Sequence, residues 1–167
     1  EFLWAMGDEV MMPYIQSQFE KKKPMGAFHR RAMDYFRQYM IVGGMPQAVK
    51  KYVETRDFEK VDEVKRDILA LYRNDIKKYA DNQETKVSAI FEEIPSQLQK
   101  HEKKFRLSAL QDDARMRDYS QAFFWLSDAR VVNCCYNSTE PSIGLKLNED
   151  RTTVKCYLND TGLLISH

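Results

Sequence analysis

The sequence predicts a mainly α fold that ends in a β-ribbon, and three observations carry that reading. Apolar residues recur at three- and four-residue steps through most of the chain up to about residue 130, as amphipathic helices require. β-Branched and aromatic runs gather only near the C-terminus, in RVVNCCYN (130–137) and TTVKCYLND (152–160). With 43% hydrophobic and 31% charged residues and only 6 Gly and 5 Pro in 167, the chain is a folding sequence without long disordered tracts.

The first region, 1–80, reads as helices alone. GDEVMMPYIQSQFEKKK opens at Asp8, whose carboxylate suits a helix N-terminus, and Lys21-Lys22-Lys23 before Pro24 suit its C-terminal end. FHRRAMDYFRQYM sets Phe28, Ala32, Tyr35, Phe36 and Tyr39 along one stripe. IVGGMPQAVKKY then raises a choice, because two adjacent glycines near a lysine-bearing helix resemble a phosphate cradle. A Walker-type loop ends in Gly-Lys-Ser/Thr at a helix start, whereas Gly44 is followed by Met45 and Pro46. Gly43-Gly44 are therefore expected to stop one helix, with Pro46 in the first turn of the next. A long helix follows from an Asp57 cap, with Phe58, Val61, Val64, Ile68, Leu71, Tyr72 and Ile76 as its apolar stripe. Arg73, Asp75, Lys77 and Lys78 on that helix are expected to form a solvated face with an internal salt bridge. The alternative is contact with another protein surface.

The polar interval ADNQETK marks a boundary, and 81–167 forms the second region. KVSAIFEEIPSQLQKH is a helix with Val87, Ile90, Phe91, Ile94 and Leu98 inward, and Pro95 is expected to break or kink it. Ser108 is placed to cap a short second helix, ALQDDA, and RMRDYSQAFFWLSDA makes a third with Met116, Tyr119, Phe123 and Leu126 in register. The two strands follow, joined through STEPSIGLKLNEDR, where Pro141, Gly144 and Asn148-Glu149-Asp150 suit turns. Phe124 and Trp125 are expected to lie exposed beside the buried stripe, where they either meet a covering surface or complete the local core.

Three helices followed by a two-stranded wing is the order of a winged helix-turn-helix, whose third helix is offered to the DNA major groove. The candidate DNA contacts are Arg115, Arg117, Ser120 and Gln121 on that helix, Lys103, Lys104 and Arg106 before the second, and Lys146 and Arg151 on the wing. Basic side chains would meet phosphates, and Gln121 could read a base edge. Against this, Asp112, Asp113 and Asp118 sit beside the arginines, and winged helices also serve as protein-docking modules. The overall balance of 26 Lys+Arg against 25 Asp+Glu, a net charge of +1, gives no global attraction to nucleic acid.

Other chemistry finds little support in the sequence. Cys134, Cys135 and Cys156 are odd in number and lack a Cys-x-x-Cys pair, so neither a disulfide framework nor a zinc knuckle is indicated. His29, His101 and His167 have no partner at metal-ligand spacing. Adjacent carboxylates such as Glu92-Glu93 and Asp112-Asp113 diverge by roughly 100° on a helix and do not share a site. No apolar run approaches the length of a membrane span, so a cytoplasmic protein without membrane contact is the expectation.

The succession EFLWAMG, FRQYMIVGGMPQAV, DILALYRNDIKKYA, IPSQLQKHEKKF, RMRDYSQAFFWLSDARVV and VKCYLNDTGLL resembles a bacterial and archaeal family of AAA-type ATPases. Their C-terminal domain of unknown function contains a winged helix and a restriction-endonuclease-like domain. The resemblance implies that this chain is an internal fragment, a helical ATPase-lid region followed by the winged helix, with both candidate catalytic ends missing. It implies no catalytic, cofactor-binding or metal residue here, since ATP and Mg belong to the missing core. The function it implies is a non-catalytic module coupling an ATPase core to a winged helix that engages double-stranded DNA; the alternative is a protein-interaction or assembly module without nucleic-acid binding. Its expected partners are the ATPase core, the nuclease-like domain, and DNA, a protein or a second copy.

Overall fold

The computed structural model describes residues 1–140 and 143–167. Pro141, assigned above to a turn, lies outside the described residues. In chain order the helices and strands are α1 (Phe2–Ala5), α2 (Met11–Glu20), α3 (His29–Val42), α4 (Pro46–Thr55), α5 (Phe58–Tyr79), α6 (Glu84–Gln99), α7 (Met116–Asp128), β1 (Val132–Ser138), β2 (Glu149–Leu158) and α8 (Thr161–Ser166). The protein is thus mainly helical with one small antiparallel sheet. Its residues group into two units, 1–68 with Asp160–Ser166, and 69–159 with His167, so the change of unit falls inside α5.

In the first unit, α2 begins where Asp8 Oδ1 accepts the N–H groups of Val10 and Met11 at 3.2 and 2.9 Å. Those are orphan donors of the first turn, which explains the aspartate. Arg31 reaches the other oxygen at 2.7 Å. α3 stops at Gly43, whose φ of 81° and ψ of −169° suit glycine, and α4 starts at Pro46. Asp57 Oδ1 accepts the Glu59 N–H at 2.9 Å and starts α5. Val42, Ala48, Val49, Tyr52 and Val61 form the core, with Phe2, Met6, Met45 and Val53 against it. Full burial of a valine such as Val42 or Val61 contributes roughly 1.5–3 kcal/mol.

The predicted stripe of α5 is only half right. Val61, Ile68 and Ile76 are buried, but Phe58 and Leu71 are exposed, while Lys65 and Leu69 lie inside. Lys65 keeps the helical spacing from Val61, and its Nζ donates to the Ile41 carbonyl at the end of α3 at 2.9 Å. Burial pushes the Lys65 ammonium pKa down, and Asp62 and Asp160 oppose that push.

In the second unit, Pro95 does not break α6, which runs through it to Gln99, and Phe91, Ile94 and Gln97 on both sides of the proline are buried. α7 packs Tyr119, Ala122, Phe123 and Leu126 inward. The helix expected at ALQDDA does not form: the segment holds one 3-10 turn, Leu107–Ala109, and the Ser108 side chain makes no cap hydrogen bond. No residue from 106 to 118 is buried, so no apolar stripe draws the segment into a helix. β1 and β2 pair antiparallel, Val132 opposite Leu158, with an irregularity between Tyr136 and Asn137. The Phe105 N–H donates to the Val154 carbonyl at 2.8 Å, pinning the strand-like segment before the turn to β2. Trp125 is half-buried and its Nε1 donates to the Tyr79 carbonyl, so it completes local packing, whereas Phe124 is exposed.

Candidate functional site

Two surfaces are candidates, one in each unit. The basic face of the second unit is largely paired within itself. Arg117 Nε meets Asp118 Oδ1 at 3.2 Å, Arg106 Nη2 meets Glu102 Oε2 at 3.0 Å, and Arg151 Nε meets Glu149 Oε1 at 3.1 Å. Lys103 Nζ donates to the Leu98 carbonyl and closes the end of α6. Ser120 Oγ donates to the Arg117 carbonyl at 3.1 Å. Gln121 is exposed on α7, Lys104 is exposed and lies close enough to Asp150 to lower its pKa, which hydrogen bonds from Thr152 lower most. Arg115 flanks the start of α7 and Lys146 sits in the turn before β2; both are exposed and make no salt bridge among the described residues. The nine candidates therefore present few uncommitted charges, and Asp118 stands in the first turn of α7 where a phosphate would approach.

Arg73 pairs with Glu92 of α6 and not, as expected, within the α5 face. Its Nε and Nη2 meet the two oxygens of Glu92 at 2.6 and 3.1 Å, and its guanidinium lies 5.8 Å from the centre of the Phe91 ring. That pairing holds the Glu92 carboxyl below its usual range, with the Arg73 hydrogen bond as the main cause. The His167 ring lies against Phe91, and burial lowers its pKa. Among the described residues no group of three or more His, Cys, Asp or Glu side chains could hold a metal ion.

The first unit carries a surface the sequence analysis did not identify. An apolar groove of about 930 Å³ runs between α1, α2, α3 and α4, lined by Phe2, Trp4, Met12, Ile15, Phe36 and Val53 among others. Trp4 is 60% exposed and Phe36 54% exposed. The aromatic stripe of α3 was the available signal: of its residues only Val42 is buried, and the rest of the stripe faces this groove or solvent. Gly44 and Pro46 border the groove. The Gly43 N–H donates to the Tyr39 carbonyl at 2.7 Å and the Gly44 N–H to Asp160 Oδ2 at 2.6 Å. Both amides are thus engaged, and a carboxylate occupies the position where a phosphate cradle would need an anion.

These features define a mainly helical chain with a two-stranded ribbon and an open apolar groove. A family model for a domain of unknown function, DUF8612, matches residues 33–167, and the chain belongs to that family. No curated protein and no solved structure matches it. No described helix is long and apolar enough to cross a membrane.

Proposed function

We propose that the chain is a non-catalytic docking module of an AAA-type ATPase. In this reading the first unit is the lid region and seats the ATPase core in its apolar groove. The second unit is a winged helix whose second helix is reduced to one 3-10 turn, and it contacts protein. The groove carries the proposal, because its lining is mainly apolar and Trp4 and Phe36 stay more than half exposed at it, as on a surface that a partner covers. The sequence resemblance supplies the occupant. The order α6, turn, α7 and ribbon, with Phe105 bonded to β2, supports the winged-helix part. ATP and Mg belong, in this reading, to the core, and the protein works in the cytoplasm.

DNA binding by the winged helix is the second reading, favoured by the exposed charges of Lys104, Arg115 and Lys146. The salt bridges of Arg106, Arg117 and Arg151 weigh against it. Fluorescence anisotropy of a labelled duplex, titrated with the chain and with an Arg115→Glu, Arg117→Glu variant, separates the two. Protein docking predicts no saturable binding at physiological salt. Binding that weakens steeply with salt and disappears in the variant would overturn that part and establish phosphate contact.

A further inference from the structure

Cys134 on β1 and Cys156 on β2 stand directly opposite one another in the antiparallel register, so both side chains leave the ribbon on the same face. Their Sγ atoms lie 4.0 Å apart. Directly opposed residues in such a ladder have Cα atoms about 4.5 or 5.5 Å apart. Both separations fall within the roughly 4.4–6.8 Å that a disulfide bridges, so the remaining approach falls to the side chains and not to the backbone. Cys156 is buried, Cys134 is half-buried, and Cys135 is exposed on the other face. The hydrogen bond between the two thiols holds Cys134 below its ordinary range, and the same contact with burial pushes Cys156 up. Cys134 is thus the nucleophile and Cys156 the resolving thiol.

We propose that Cys134 and Cys156 form a dithiol that hydrogen peroxide converts to a cross-strand disulfide stapling the ribbon, while Cys135 takes no part. The Cys134 thiolate attacks one peroxide oxygen and the O–O bond breaks. Hydroxide leaves and takes up a proton to become water, and Cys134 is left as a sulfenic acid, oxidised by two electrons. The Cys156 thiol then releases its proton and its sulfur attacks the Cys134 sulfur. The S–O bond breaks and the second hydroxide leaves with that proton as water. Two thiols and one peroxide give one disulfide and two waters, and a small dithiol reductant reverses the change. This inference does not depend on the ATPase reading.

The test is peptide mass spectrometry of the folded chain after peroxide treatment, with free thiols alkylated once the protein is unfolded. The expected product is a Cys134–Cys156 linked peptide pair, lighter by two hydrogens, with Cys135 fully alkylated and the same result from Cys135→Ser. In Cys156→Ala the reaction stops at a sulfenic acid on Cys134 that dimedone captures. Full alkylation of both Cys134 and Cys156 after peroxide would overturn the proposal. So would a cross-link that includes Cys135, or one that forms only when the chain is unfolded before peroxide is added.

Discussion

Asp160 accepts the Gly44 N–H through Oδ2 at 2.6 Å and the Leu163 N–H through Oδ1 at 2.9 Å, joining the break between α3 and α4 to the first turn of α8. The two partners are 116 residues apart in the chain for the first bond and three for the second. Removing the carboxylate leaves two donors in a largely buried place without an acceptor. Asp160→Ala is therefore expected to destabilise the first unit by about 1–3 kcal/mol, and Asp160→Asn, which keeps one oxygen, by less. Urea unfolding of both variants checks the order; equal and negligible losses would mean the joint is held by other contacts.

The adjacent glycines should differ sharply. A Cβ on Gly43 would sit 2.2 Å from Asp160 Oδ1, on a backbone with φ of 81°, whereas on Gly44 the nearest side-chain atoms are 3.5 Å away. Gly43→Ala is expected to cost well over about 1 kcal/mol, and Gly44→Ala less than that. Thermal unfolding of the two single variants makes the comparison directly.

Pro95 lies inside α6, where it cannot donate a backbone hydrogen bond and its ring crowds the preceding turn. Interior proline costs a helix on the order of 3 kcal/mol. Pro95→Ala is expected to raise the thermal midpoint of the second unit. A fall in the midpoint would show that the proline ring packs more than it strains.

Acid should weaken the first unit through Asp8 and Asp62. The Met11 N–H is the main reason the Asp8 carboxyl titrates below its ordinary 3.8, and the Ser166 hydroxyl is the main reason for Asp62. A carboxylate with a lowered folded pKa contributes stability that is fully present above the unfolded value and is lost as the pH falls through the folded one. The melting temperature should accordingly drop as the pH is taken below about 4, and the drop should be shallower in Asp8→Asn, Asp62→Asn than in the unaltered chain.

The elements written in local chemistry were the legible ones. Asp8, Asp57, Gly43 and Pro46 each act within a few residues, so the helix ends they set could be read directly. Features that depend on distant partners could not. Lys65 broke the apolar phase of α5 because its partner is the Ile41 carbonyl, and the stripe of α3 marks an apolar face without saying whether another element covers it. The short helix α8 was not predicted, and nothing local says that Gly162 in it must meet the Val42 carbonyl, where a Cβ would stand 2.4 Å away. Of the arginines placed on the third helix, Arg117 lies on α7 and Arg115 only flanks its start; the pairing of Arg106, Arg117 and Arg151 with acids is a property of the folded chain.

Trp4 lines the apolar groove and reports on whether it is occupied. In a Trp125→Phe background Trp4 is the remaining one of two tryptophans, and its emission can be followed while an AAA-type ATPase core of the resembling family is added. A core seated in the groove gives a blue shift that saturates near one core per chain and is lost in Phe36→Glu, whose exposed position leaves the fold, checked by circular dichroism, intact. An emission spectrum that does not move, or that moves equally in Phe36→Glu, would contradict docking in the groove.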